Sequence, residues 1–336
     1  MRLLPVGISA LALCLTMLVS LRLGKYPLPL GDILGYCSHA LWGGGTVDAE
    51  RLATLHNLLV EIRMPRILAA GMIGAALSVS GAAYQAMFVN PLVSPGILGV
   101  LGGSAFGAVL GMLLGTSWFG IQVLTFVFGF AAMGVAVGVA RIYRVNSTVM
   151  LVLGGVISSA FFTSLVSIVK YSADPYNQLP AIVYWLMGNM SLVDRSTALR
   201  AGIPICIGIV GLILSGRHLN VLSMGDEEAR ALGINVNRVR MIVIVCATLV
   251  SAMTVVIAGT IGWVGLIIPH ITRMITGPDN ETLLPVSALL GATYLVIVDD
   301  ISRLAFSFEI PIGILTALVG IPFFALVLKS TRKGWN

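Results

Sequence analysis

The stretch Val239–Gly259 reads VRMIVIVCATLVSAMTVVIAG, an almost unbroken apolar run. A bilayer core of roughly 30 Å is crossed by about 20 apolar residues in a helix, so this run is long enough to span it. Similar runs, bounded by charges, proline or glycine, recur at about 4–23, 64–84, 97–115, 119–140, 147–169, 197–215, 263–276, 284–302 and 310–328. The sequence therefore predicts an all-α polytopic membrane protein with about ten transmembrane helices.

The composition fits a chain that lies almost entirely in the membrane. Of its 336 residues, 57% are hydrophobic and 10% are charged. No segment between the apolar runs is large enough to fold as a soluble domain, which predicts a single transmembrane domain over residues 1–336. The run at 263–276 is short for a span, so we expect it to be tilted or to begin earlier.

The distribution of charge predicts the orientation. The net charge of +6 comes from basic residues scattered between the spans, without the basic stripe typical of nucleic-acid binding. Ten crossings put both termini on one side. If that side is the cytoplasm, the inner segments hold eleven of the twenty basic residues. This excess has the sign of the positive-inside rule and predicts cytoplasmic termini.

The longest inner segment, about 216–238, predicts a short surface helix. Ser223 and Asp226 have capping-box spacing, acidic residues fill the first turn, and Gly233 supplies a left-handed residue that ends the helix. Ala229 and Leu232 give it a small apolar face. Two interpretations remain open: an ordinary amphipathic connector, or a docking helix that transmits motion from a soluble partner.

Several kinds of activity lack their motifs. The sequence has no GxxxxGK[ST] phosphate loop, and its four histidines show no metal-ligand spacing. Asp299 and Asp300 resemble half of an acid-rich site for a membrane enzyme, but no second acidic pair lies in another span. An ion-coupled carrier usually buries acids in its spans, and such acids are scarce here. The sequence favours a pathway driven by an external energy source.

Several segments, in one order and spacing, resemble the permeases of ATP-binding-cassette (ABC) importers for iron-siderophore complexes, haem and cobalamin. The resemblance covers nearly the whole chain from Arg63 to Leu328. The segments that carry it are Arg63–Arg66, Gly74–Ala76, Ser80–Gln85, Asn90–Gly99, Tyr184–Gly188, Met224–Gly233, Gly262–His270 and Pro311–Pro322. The resemblance implies a type II importer permease fold.

The resemblance also implies partners and a location. It implies a homodimer, two ABC ATPase subunits and a soluble periplasmic or lipid-anchored substrate-binding protein, in a bacterial or archaeal cytoplasmic (inner) membrane. ATP and Mg²⁺ would be bound by the ATPase, and this chain would hold no cofactor, no metal and no catalytic residue.

Roles for individual residues follow from the same resemblance. Arg63, Arg66 and Arg303 match the positions that meet carboxylates of the binding protein; the alternative is that they extend to the membrane interface, as arginines at span ends do. Asn146, Ser147 and Thr148 match a cytoplasmic gate, although Asn146 can equally cap the fifth span. The ATPase-coupling residues would be Gly225, Asp226, Glu227, Glu228, Ala229, Arg230, Ala231, Leu232 and Gly233.

The cargo is inferred from the family and not from any pocket residue. A ferric siderophore is the first expectation, with haem, cobalamin and oxyanions such as molybdate as the others. Two functions from other classes stay open on the sequence alone. A self-sufficient ion-coupled secondary transporter would need an essential acid inside a span, and a membrane enzyme would need Asp299 and Asp300 for turnover.

Overall fold

The computed structural model describes residues 3–42, 48–142 and 148–331. These residues form fifteen α-helices, with a π-helical segment at Asn57–Arg63 and a short 3₁₀ turn at Pro95–Leu98. The helices are α1 (Leu3–Arg22), α2 (Leu30–Trp42), α3 (Ala49–His56), α4 (Met64–Phe88), α5 (Val100–Leu113), α6 (Trp118–Ile142), α7 (Thr148–Ser172), α8 (Gln178–Leu186), α9 (Arg195–Leu214), α10 (Gly216–Leu222), α11 (Asp226–Ala231), α12 (Val236–Ala258), α13 (Val264–Thr276), α14 (Asn280–Leu304) and α15 (Ile312–Thr331).

Ten of these helices correspond to the ten predicted spans. Within the described residues, seven helical stretches are long and apolar enough to cross a membrane: α1, α4 with the helical segment before it, α6, α7, α9, α12 and α14. Three shorter apolar helices, α5, α13 and α15, account for the other runs. The prediction of an all-α polytopic fold is confirmed.

The backbone before residue 264 explains why the helix in the run at 263–276 is short. One of our two expectations was that the helix begins before residue 263, and this is wrong. α13 starts at Val264, because Gly259 and Trp263 have positive φ angles of 68° and 70° and interrupt the helix. A Cβ added at Gly265 would meet the Leu77 carbonyl, so α13 begins beside the body of α4. With 13 residues α13 is about 20 Å long, which is shorter than a hydrocarbon core of roughly 30 Å.

The backbone around this interruption is satisfied by a junction of three chain segments. The Asn189 amide donates to the Ala258 carbonyl at 2.9 Å, and the Ile312 amide donates to the Gly188 carbonyl at 2.8 Å. The Gly313 amide donates to the Met187 carbonyl at 3.2 Å. Non-helical backbone at membrane depth is tolerated where protein partners replace water, and these bonds supply such partners. We call these residues the backbone junction.

α4 lies at the centre of the bundle and packs against α9, α12, α13 and α14. Nearly all of its residues from Ile67 onward are buried. Its glycines permit backbone contact: a Cβ added at Gly74 would overlap the Gly291 carbonyl of α14, and one added at Gly81 would overlap the Gly265 carbonyl of α13. The small-residue pattern of this span therefore serves close helix packing, as in other membrane bundles.

The contacts between helix termini define two ends of the bundle. The end of α1, the start of α4 and the end of α14 meet at one end, which we call the arginine end. The end of α4, α10, α11 and the start of α14 meet at the other, which we call the short-helix end. α4 and α14 run antiparallel between them and reach both ends.

We predict that Gly81→Ala destabilises the fold by about 1–3 kcal/mol, because the added methyl group must displace the backbone of α13. Thermal unfolding in mild detergent measures the loss. Gly134→Ala on α6 is the matched control, since a Cβ there meets no heavy atom within 4 Å. An equal loss in both variants would contradict the packing role of Gly81.

Candidate docking and coupling sites

The three predicted docking arginines lie together at the arginine end. Arg63 is the last residue of the π-helical segment, Arg66 is in the first turn of α4, and Arg303 is in the last turn of α14. The antiparallel packing of α4 and α14 brings Arg66 and Arg303 to the same end of the bundle. All three guanidinium groups form hydrogen bonds or ion pairs with other residues of the same chain.

Arg63 caps the end of α1. Its Nη1 donates to the carbonyls of Leu21 at 2.6 Å and Arg22 at 3.1 Å, and its Nη2 donates to the Tyr26 carbonyl. The last carbonyls of a helix have no partner within the helix, and a cation there is favourable. Arg63 is only 5% exposed, so it also has a structural role that the sequence analysis did not predict.

Arg303 is held by the two aspartates of its own helix. Its Nε lies 3.1 Å from Asp299 Oδ2, an ion pair without hydrogen-bond alignment, and its Nη2 pairs with Asp300 Oδ1. Ser20 of α1 joins this pair by donating to Asp300 Oδ1 at 2.7 Å. Spacings of three and four residues place such side chains on one helix face, so the sequence contained the signal for these pairs.

Arg66 is paired on two edges. Its Nε donates to Asp299 Oδ1 at 3.0 Å. Its Nη1 and Nη2 donate to Glu309 Oε1 and Oε2 at 3.1 Å and 2.9 Å, a bidentate arrangement. Glu309 was absent from the predicted site. It lies 243 positions from Arg66, and no local pattern indicates such a pair.

Asp299 joins the two arginines, because it contacts Arg66 and Arg303 and is 1% exposed. The cluster formed by Arg66, Asp299, Asp300, Arg303 and Glu309 is therefore a continuous ion network. We call it the arginine-end network. The network gives Asp299 and Asp300 a structural role, so their presence does not require a catalytic one.

The predicted coupling helix is present at the short-helix end, but its start differs from the prediction. α11 begins at Asp226, and its N-cap is Gly225, with φ of 129° and no side-chain cap bond. Ser223 instead ends α10: its hydroxyl donates to the carbonyls of Leu219 at 2.8 Å and Ala86 at 3.3 Å. The capping-box interpretation of Ser223 is wrong because its hydroxyl already has these partners.

The predicted end of the helix is correct. Gly233 has φ of 79°, and its amide donates to the Arg230 carbonyl at 2.9 Å. The Ile234 amide donates to the Ala229 carbonyl at 3.0 Å. These two bonds form a Schellman motif, which needs the left-handed glycine.

One face of α11 is anchored and the other is open. Ala229 is fully buried, and Asp226 Oδ1 lies 2.7 Å from Arg240 Nη2 of α12. Leu232, which we expected on the apolar face, is 63% exposed. The other predicted coupling residues with exposed surface are Glu227, Glu228, Arg230, Ala231 and Gly233.

α10 connects α11 to the two central helices. The Asn220 side chain donates to Asp279 Oδ1 at 2.7 Å and accepts from the Asn280 amide at 2.7 Å. Asp279 and Asn280 start α14, and Ala86, whose carbonyl accepts from Ser223, lies in the last turn of α4. Local sequence gave no sign of this role for Asn220, since its partners come from a distant segment.

The predicted cytoplasmic gate falls at the start of α7. Asn146 and Ser147 of the predicted gate lie outside the described residues, and Thr148 is the first residue of α7. Among residues 3–42, 48–142 and 148–331, no group of three or more His, Cys, Asp or Glu side chains is placed to hold a metal ion.

Comparisons with known proteins agree on one family. Residues 12–330 match the family model described as the FecCD transport family. The molybdate import system permease MolB of Haemophilus influenzae is 41% identical over 97% of this chain and 96% of its own. A probable iron chelatin permease of Helicobacter pylori is 38% identical over 84% of this chain and 86% of its own. A solved inward-facing structure of a metal-chelate-type ABC transporter superposes with a TM-score of 0.85 at 36% identity, over 97% of this chain and 98% of that one.

We predict that Asp299→Asn destabilises the fold by about 3–5 kcal/mol, because it leaves two buried guanidinium groups without their shared carboxylate. Chemical unfolding in detergent measures the loss. Glu61→Gln is the matched control: Glu61 pairs with Arg195 at 3.4 Å at the surface, and such pairs contribute about 0–1 kcal/mol. A loss in Asp299→Asn no larger than in this control would contradict the role of the network.

Proposed function

This chain belongs to the FecCD transport family, and we propose that it is the permease subunit of an ATP-driven, binding-protein-dependent importer. Its membrane-spanning bundle and its relatives make it an inner-membrane transport permease for metal chelates or related substrates, and not an enzyme. The proposal adds the energy source and the partners: a second copy of the chain, two ATPase subunits and a substrate-binding protein.

The observation that carries the proposal is the connection of both candidate sites to the same two helices. α4 and α14 hold Arg66 and Arg303 at one end. At the other end, the same helices bind Ser223 and Asn220, next to α11. A force on α11 therefore acts next to α4 and α14, and both of these helices extend to the arginine end. This arrangement supports a permease that an ATPase drives from one side while a binding protein docks on the other.

The proposed sequence of events begins with docking at the arginine end and continues at α11. The loaded binding protein docks at the arginine end, which we place outside, and the ATPase binds α11 in the cytoplasm, where both termini lie. ATP and Mg²⁺ bind the ATPase, whose movement shifts α11 and the bundle through α10. The predicted gate, Asn146, Ser147 and Thr148, would close the pathway at the cytoplasmic side.

Two cargo classes follow from the relatives. The Haemophilus influenzae relative is named for molybdate and the Helicobacter pylori relative for an iron chelate. We propose that the cargo is a metal oxyanion or a metal chelate, with molybdate and a ferric siderophore as the first two to test. Uptake of labelled molybdate, and of a ⁵⁵Fe-loaded siderophore, by proteoliposomes that contain the whole complex separates the two.

Intact-mass measurement of the tagged chain, purified from its host in mild detergent, tests the class of transporter. We expect one ATPase copy per chain and two copies of this chain. Uptake should require ATP and persist when ionophores remove ion gradients. A complex without an ATPase, active in gradient-driven uptake, would instead establish the ion-coupled secondary transporter.

We predict that Leu232→Glu lowers ATPase recovery with the purified chain by at least about tenfold, because it places a charge on the open face of α11 where a close-packed contact is expected. Co-purification measures the change, and thermal unfolding should stay unchanged since Leu232 is exposed. Asn237→Glu, an equal charge change at an exposed position beyond α11, is the control. Unaltered ATPase recovery in Leu232→Glu would remove Leu232 from the coupling surface.

A further inference from the structure

The Arg66 guanidinium has an inner and an outer edge with different partners. Asp299 lies on the inner side, where its Oδ1 is 3.0 Å from Nε and 2.9 Å from Nη2, and it is 1% exposed. Glu309 occupies the outer edge, where Nη1 and Nη2 form its bidentate pair. The outer edge is the one that a carboxylate from another protein would need, since a fork of two parallel N–H groups is the geometry that arginine offers to carboxylates.

Glu309 is the accessible member of the arginine-end network. Its side chain is 28% exposed, against 11% for Arg66, 1% for Asp299 and 11% for Asp300. It lies on the segment between α14 and α15. On the same segment, the rings of Phe306 and Phe308 stack at 5.6 Å and are 56% and 64% exposed. A docking protein would therefore meet Glu309 before it met the aspartates.

The charges of the network argue against simple addition of another carboxylate. Two guanidinium groups, of Arg66 and Arg303, contact three carboxylates, of Asp299, Asp300 and Glu309. The contacting groups thus carry a formal charge of −1. A fourth carboxylate would add repulsion in a poorly solvated place, where charge interactions are strong. One carboxylate must leave before another binds.

We propose that Glu309 occupies the partner-facing edge of Arg66 while no binding protein is docked, and that docking exchanges it for a carboxylate of the binding protein. This inference rests on the proposed function. Glu309 thus lowers the affinity of docking, and its carboxylate has the same chemistry as the group that replaces it.

The exchange requires only a small movement. The next residue, Ile310, is fixed to the end of α14: its amide donates to the Ser302 carbonyl at 3.2 Å, and its carbonyl accepts from the Ser302 hydroxyl at 2.6 Å. These bonds leave the Glu309 side chain free to turn toward solvent while the start of α15 stays in place. The exchanged state keeps Asp299 on the inner edge, so Arg66 retains its position.

The test measures docking of the fluorescently labelled binding protein from the same host to the complete importer in lipid nanodiscs. We expect Glu309→Gln to lower the Kd by at least about threefold, because the repulsion and the competing carboxylate are removed. Glu309→Ala should lower the Kd at least as far, since alanine also lacks the side-chain oxygen with which the glutamine of Glu309→Gln could still bind Arg66. In an Arg66→Gln background, Glu309→Gln should lower the Kd much less, because Arg66, the guanidinium for which Glu309 competes, is absent.

Glu61→Gln is the matched control, because it removes the same charge from the arginine end, at a residue 41% exposed and outside the network. Its Kd should differ from the wild-type value by less than twofold. Weaker or unchanged docking in Glu309→Gln would overturn the exchange, as would an equal gain in the Arg66→Gln background. If even the wild-type complex fails to dock a binding protein, the proposed function falls first and the exchange with it.

Discussion

The close antiparallel contact of α4 and α14 is the constraint on which the other features depend. Gly74 and Gly291 allow the two backbones to touch, which larger residues would prevent. That contact aligns the start of α4 with the end of α14, so Arg66 and Arg303 share Asp299. It also aligns the opposite ends, where α10 binds both helices. The two candidate sites owe their positions to one interface.

The ion network shows how a membrane protein keeps charge near the bilayer. Isolated charges are costly in hydrocarbon, and such residues pair with each other inside the bundle. Here every member of the network lies within two turns of a span end or on the following segment. Breaking such a pair leaves a buried charge without compensation, which is why these residues belong to the fold as well as to any docking surface. Arg66 can stabilise the fold through Asp299 and also take part in docking, because its other edge faces the more accessible Glu309.

Much of the fold was predictable from the sequence, because apolar run length reports directly on membrane crossing. All ten runs became helices, and Gly233 ended α11 as its position indicated. The failures share a cause. Ser223 was assigned a local partner, whereas its hydroxyl reaches Ala86; Glu309 and Asn220 find their partners 243 and about 60 positions away. Local spacing predicts caps and helix faces, but tertiary contacts decide which polar groups are still available.

The backbone junction has a consequence for how such a sequence can change. Its bonds join Met187, Gly188 and Asn189 to Ala258, Ile312 and Gly313 through main-chain atoms alone. The two glycines cannot be replaced in the same way, because a Cβ at Gly188 would lie 2.7 Å from the Thr260 carbonyl and one at Gly313 would lie 2.3 Å from the Met187 carbonyl. Met187 and Asn189 can change side chain without losing a junction bond, although proline at Asn189 would remove a donated amide. A lineage that adapts to a new compound can therefore vary Met187 and Asn189 while both glycines, and the architecture they permit, are inherited unchanged.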